Sequence, residues 1–127
     1  MFEKLGLTRM AQALAAHSGA RVEVVARNIA NADTPGFRAM DMPDFRTIYG
    51  DQVTFAPRRT RAAHLVNEES QWSQPVPSGT GMAPNGNDVS LDQQMMKAVA
   101  ARQNHEMALA VYQNTSAILR TSLGRNT

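Results

Sequence analysis

Asn28 to Phe37 reads NIANADTPGF, and the course of the chain on either side is decided there. Thr34 precedes Pro35, whose ring pushes the residue before it out of the α region, so a helix entering from the left has to finish near Asn31 or Ala32. Pro35 and Gly36 fit the two central positions of a type II turn, with Pro fixing φ and Gly supplying φ > 0. Phe37 is thereby swung back toward the helix end. By residue type alone this is a helix terminator with good turn chemistry. It leaves over Asn28 and Asn31, which stand at i and i+3 on one face where Ala or Leu would favour the helix more. Their amides suit the backbone groups of a neighbouring element, either the turn itself or another subunit.

Upstream, Leu7, Ala11, Leu14, Ser18, Val22, Val25, Ile29 and Ala32 recur at steps of three and four. That spacing predicts a helix over about 7–32, roughly 40 Å long. Gly19 inside it costs about 1 kcal/mol relative to Ala. Downstream, Met96, Ala100, Gln103, Met107, Val111, Asn114 and Ile118 form a second stripe on a helix over about 88–124. Asp88 or Ser90 is its natural N-cap, Asp92 favours its first turn, and Gly124 is a plausible stop. Gln103 and Asn114 interrupt the stripe either as buried polar residues that set register or because the packed face is rotated and both meet water.

Between the helices, over 33–87, helical periodicity disappears and all 6 prolines fall. The β-like runs QVTFA (Gln52–Ala56) and HLV (His64–Val66) are candidates for a short hairpin, while QPVPSGTGMAPNGND (Gln74–Asp88) reads as a mobile loop. The expected fold is mainly α: two long terminal helices in a coiled-coil-like hairpin, one domain over 1–127, around an extended irregular centre. Neither helix buries its stripe alone, and the apolar area of the longer one exceeds what a single antiparallel partner covers, which points to contacts with other chains.

Composition narrows the function. The chain has 127 residues, 43% hydrophobic but only 6% aromatic, which favours thin helical packing over a thick sandwich. With 13 Lys+Arg against 11 Asp+Glu, the formal charge of +2 is too weak to imply nucleic acid. Arg58, Arg59 and Arg61 lack the interleaved aromatics that stack on bases and read as a solvated loop. The absence of cysteine removes disulfides, zinc-thiolate sites and thiol catalysis. Thr8, Arg9, Gln12 and His17 break the N-terminal apolar residues, so no cleavable signal core is expected, and no stretch approaches a membrane span.

An enzyme finds little support. His17, His64 and His105 are scattered, none lies in an H-E-x-x-H pattern, and Glu106 reads as a solvated helix charge. The glycine cluster SGTGMAPNGN has no Lys after it, and no nucleophile, base and orienter set stands out. Met82, Met95, Met96 and Met107 would make an adaptable binding surface, although Met at helical spacing is more often packing. No catalytic residue, cofactor, metal or small-molecule substrate is expected.

Two segments together, NIANADTPGF closing the first helix and GNDVSLDQQMMK (Gly86–Lys97) opening the last, resemble the rod, hook and hook-associated axial proteins of the bacterial flagellum. Those proteins share an N-x-A-N-x-x-T-P-G-[FY] pattern, which Asn28, Ala30, Asn31, Thr34, Pro35, Gly36 and Phe37 match position by position. The short chain without an inserted globular domain, the opening LGLTRMAQAL (Leu5–Leu14) and PNGNDVSLDQQMM (Pro84–Met96) are similar to subunits of the proximal rod. Tyr112–Leu123 partly echoes the C-terminal pattern of the sister rod subunit FlgC, whose aromatic signature His105, Glu106 and Met107 replace.

The resemblance implies a structural subunit that polymerises through its terminal helices, with the motif residues as packing contacts, and transmits torque from motor to hook and filament. It also implies helix ends that are disordered in the free monomer, and uncleaved passage through the flagellar type III export apparatus to a rod in the periplasm. The implied partners are further copies, the rod subunits FlgC, FlgF and FlgG, the rod-base adaptor FliE and the MS-ring and export-gate region. Phe45 and Tyr49 resemble the short segment that export gates recognise, although two aromatics at that spacing also serve simple packing. A soluble helical adaptor or export chaperone is the rival of a different class.

Overall fold

The computed structural model describes residues 2–52, 74–79 and 81–124. Helix α1 spans Phe2–Ala30 and helix α3 spans Leu91–Ser122, with strand β1 (Met40–Asp41), helix α2 (Phe45–Gln52) and strand β2 (Val76–Pro77) between them. At 29 and 32 residues the two long helices extend about 43 and 48 Å. They pack against each other as an antiparallel hairpin: Asn28 near the end of α1 meets Gln94 near the start of α3, and Ala15 at mid-helix meets His105.

The seam follows a heptad. On α1 the buried residues Ala11, Ser18 and Val25 recur every seventh position, and on α3 Gln94, Ala101, Ala108 and Thr115 do the same. Small side chains at these positions let the two backbones approach closely, and a seven-residue repeat keeps one stripe facing its partner. Val25 and Ala101 are fully enclosed. Thr115 satisfies its own hydroxyl by donating to the Val111 carbonyl one turn earlier, which keeps a polar residue acceptable in the seam.

Details differ from the sequence reading. Helix α1 begins before Leu7 and stops at Ala30, because the chain tightens into turns as soon as Asn31 and Ala32 bond to carbonyls three residues back. Helix α2 stands inside the segment read as non-helical, eight residues too short for its periodicity to register against the prolines around it. The small antiparallel sheet pairs Met40 with Pro77 and Asp41 with Val76. Val76 and Pro77 therefore belong to a strand in what reads as loop, with Ser78 extending the pairing to the Ala39 carbonyl at 2.9 Å. Gln52, the first residue of QVTFA, ends α2, and the rest of that run, HLV, Arg58, Arg59, Arg61 and His64 lie outside the described residues.

The largest difference is rotational. Met96, Met107 and Ile118 are 74%, 53% and 53% exposed, and Gln103 and Asn114 are exposed beside them. Val111 is half-buried at the edge. The residues of the expected α3 stripe do share a face, but it is rotated away from the one that packs on α1. Two apolar faces pointing different ways partly cancel in the helix's overall amphipathicity, and the bulkier side chains drew the reading to the outer one. On α1 the expected stripe lies nearer the seam: Val25 is buried and Leu14 and Ile29 are half-buried, with Leu7 and Val22 at its exposed margin.

Candidate functional site

At the closed end of the hairpin, the NIANADTPGF segment and the chain entering α3 build a junction held by polar side chains. Asn28, 1% exposed, treats Met40 as a neighbouring strand would. Its Nδ2 donates to the Met40 carbonyl at 2.6 Å and its Oδ1 accepts the Met40 N–H at 3.1 Å. The same Nδ2 donates to Gln94 Oε1 at 3.0 Å, so one amide ties α1, β1 and α3 together. A carboxamide carries a donor and an acceptor in the geometry of a peptide group, which Leu or Ala lacks.

Asn31 acts more locally. Its Nδ2 donates to the Arg27 carbonyl at 2.8 Å, and its Oδ1 accepts the Thr34 hydroxyl at 3.2 Å, folding the turn back on the helix end. Phe37 N–H donates to the Thr34 carbonyl at 3.3 Å, and Gly36 has φ +73, as a type II turn requires. Pro35 and Ala30 are exposed, while Phe37 is half-buried.

Asn87 supplies what the turn after α1 lacks. Its Nδ2 shares its hydrogens among the carbonyls of Asn31, Ala32 and Thr34, at 3.0, 2.9 and 2.8 Å. These carbonyls lie in the turn just past the end of α1, outside any helical ladder, and a side chain from far along the chain bonds them. Its Oδ1 accepts the Val89 N–H at 2.7 Å, turning the chain toward α3. Asp88 accepts the Ala39 N–H, and the Asp88 N–H donates to the Phe37 carbonyl at 3.3 Å. Gly79 passes so close that a Cβ there would run into the Asp88 carboxylate.

Beside the junction, Asp41 receives a two-pronged hydrogen bond from Arg21, at 2.8 and 2.9 Å, and an ion pair from Lys97 at 3.1 Å. Burial works to raise the Asp41 carboxyl, but the bonds from Arg21 and Lys97 outweigh it and hold the group below its ordinary value. The same bond raises Arg21. His17, buried on α1, bonds through Nε2 to the Pro43 carbonyl at 2.8 Å and lies 5.6 Å from the ring of Phe45. Phe45 in turn stacks on Tyr49 at 5.3 Å, so the two aromatics of α2 pack on each other and on His17.

Sequence reasoning singled out Asn28, Asn31 and the turn but not Asn87, Asp41, Arg21, Lys97 or Gln94. Asn87 lies in the GNDVSLDQQMMK segment that carried the resemblance, and Gln94 shares a heptad with Ala101. The Arg21–Asp41 pair, 20 residues apart, has no local signal. No group of three or more His, Cys, Asp or Glu side chains suited to a metal ion occurs among the described residues. Nor is any helix among them long and apolar enough to cross a membrane.

Two surfaces flank the seam. Ala11, Ala15 and Gly19 of α1 with His105, Leu109 and Tyr112 of α3 line an apolar groove of about 470 Å³. On the outer face of α3, Met95, Met96, Val99, Ala100 and Gln103 enclose a shallow apolar hollow.

The family model described as "Flagella basal body rod protein" matches residues 6–38, which is α1 together with the whole Asn28–Phe37 turn. The flagellar basal body rod protein FlgB of Agrobacterium fabrum is 38% identical over 97 residues, covering 68% of this chain and 69% of that protein. This chain is a flagellar basal body rod protein of the FlgB kind. The rod family is one of structural proteins of the basal body serving motility, and it accounts for what the geometry offers: a helical strut with a specific joint and an unpartnered apolar face.

Proposed function

We propose that this rod protein is a subunit of the proximal rod that polymerises through the outer face of α3 and passes torque along the resulting tube of helices. The supporting observation is that α3 carries apolar side chains outside the face that packs on α1 as well as on it. Ala101 and Ala108 are buried against α1, while Met96, Val99, Met107 and Ile118 stand 53–74% exposed outside that face. Apolar side chains left in water over several turns cost about 25 cal/mol per Å², and burial against a neighbouring helix removes that cost. Gln103 and Asn114 on that face would fix the register between subunits, as isolated polar residues do in coiled coils.

In this reading the chain acts as one unit over 1–127. Its neighbours are further copies, the rod subunits FlgC, FlgF and FlgG, FliE at the rod base and the MS-ring and export-gate region. The subunit carries load without catalysis. It reaches the periplasmic rod by flagellar export, and Phe45 and Tyr49 on the short helix α2 would be read there once the His17 contact is released.

Cysteine cross-linking tests this, since the chain has no cysteine of its own. Met96→Cys and Met107→Cys should trap neighbouring subunits in isolated basal bodies, whereas Ala101→Cys in the seam should not. Met96→Glu together with Met107→Glu should abolish swimming without loss of helix content. Normal motility in that double variant would overturn the assembly face.

A further inference from the structure

Asn85 is the one asparagine in this sequence that is followed by glycine. Such a pair is chemically exposed, because a glycine amide, with no Cβ beside it, has free access to the preceding side-chain carbonyl. The fold leaves little choice of residue at 86. Gly86 has φ +81, a backbone conformation that residues with a side chain rarely adopt, and it lies against Gly36 of the other turn, so the dihedral angle calls for glycine. The junction is thus built on the labile pair.

It also holds that pair in an unreactive arrangement. Gly86 N–H donates to the Ala83 carbonyl at 2.8 Å, so the would-be nucleophile keeps its proton and points away. Asn85 Oδ1 accepts the Asn87 N–H at 3.1 Å, which restrains the side chain to one arrangement. The Asn85 carbonyl accepts the Gly36 N–H at 3.1 Å, tying the same residue to the turn after α1. Asn85 is itself solvent-exposed, so water and base reach it as soon as these bonds open.

We propose that Asn85 is a deamidation site governed by the junction: inert while the junction is closed, and converted to aspartate and isoaspartate when it is open. In the open chain the Gly86 nitrogen gives its proton to a solvent base and forms a bond to Asn85 Cγ. The Cγ–Nδ2 bond breaks and Nδ2 leaves as ammonia, taking up a proton from water. Water then opens the cyclic imide at either carbonyl, and no oxidant or cofactor is needed. The isoaspartate product carries an extra methylene in the main chain, which displaces the carbonyl that Gly36 uses. Either product places a new carboxylate near Asp88. A chain that waits open therefore loses the ability to close.

The test compares the full chain in native buffer with the same chain in urea, at one mildly alkaline pH and temperature, with peptide mapping for the mass gain and an isoaspartyl assay. Residue 85 should convert roughly tenfold or more slowly in native buffer, as expected where reaction follows local opening. Asn87→Ala, which releases the turn after α1 but leaves the Asn85–Gly86 pair intact, should raise the native rate toward that in urea. Equal native and denatured rates would overturn the proposal. So would faster conversion of any other asparagine in urea.

Discussion

The seam between α1 and α3 and the junction that closes it hold the same two helices by opposite means. Along the seam, Ala11, Ser18 and Val25 face Ala101, Ala108 and Thr115, and what matters is size and spacing. At the junction, Asn28, Asn87 and Asp88 bond to named backbone groups, and what matters is the atoms each residue carries. A seam of small residues recurs every heptad and tolerates sliding by one repeat, so alone it leaves register open. The junction removes that freedom, since Asn28 reaches Met40 and Gln94 together in one alignment only.

The contrast breaks most sharply at Asn28. Asn28→Ala leaves both backbone groups of Met40 and the Gln94 amide without their partner, and urea unfolding should record a loss on the order of 3–4 kcal/mol. Asn87→Ala removes the side chain that bonds three carbonyls of the turn after α1 and should cost about 2 kcal/mol in the same measurement. In the seam, Ala101→Leu forces extra methylenes between fully packed backbones and should cost about 1–2 kcal/mol, whereas Ala101→Gly should act mainly through helix propensity.

Acid sharpens the comparison without a substitution. The Asp41 carboxyl is held below its ordinary value in the folded chain, so its contribution is complete at neutral pH and is lost as pH falls through the folded value. Stability followed by circular dichroism should decline on acidification, and Asp41→Asn should remove the part of that decline due to this group. Least affected should be the outer face. Met96→Ala changes a side chain that is 74% exposed, and its effect on the isolated chain should stay within about 0.5 kcal/mol.

Helices and turn were legible because their signals are local. Thr34-Pro35-Gly36 dictates its own dihedral angles, and heptad spacing survives in any sequence window long enough to hold several turns. The packed face of α3 was harder, since hydrophobicity ranks Met96 and Ile118 above Ala101 and Ala108 although close helix approach favours the small residues. The junction was half legible: asparagines at 28 and 31 were conspicuous as poor helix formers, but their partners lie in distant segments. Asp41 with Arg21 and Lys97 was beyond reach, because nothing in residue type marks which of 13 basic side chains will meet a given acid.

Asn87 holds the turn that follows a helix ended 57 positions earlier in the chain. A polypeptide that emerges N-terminus first makes all of α1 before the group that holds the turn after it exists. Local helix formation is fast, but closing so long an intervening loop carries an entropic cost that must be met before any junction bond forms. The molecule therefore has a built-in order of events. Its strut is made early and stays unlocked, and only arrival of the final third of the chain turns two helices into a hairpin of defined register.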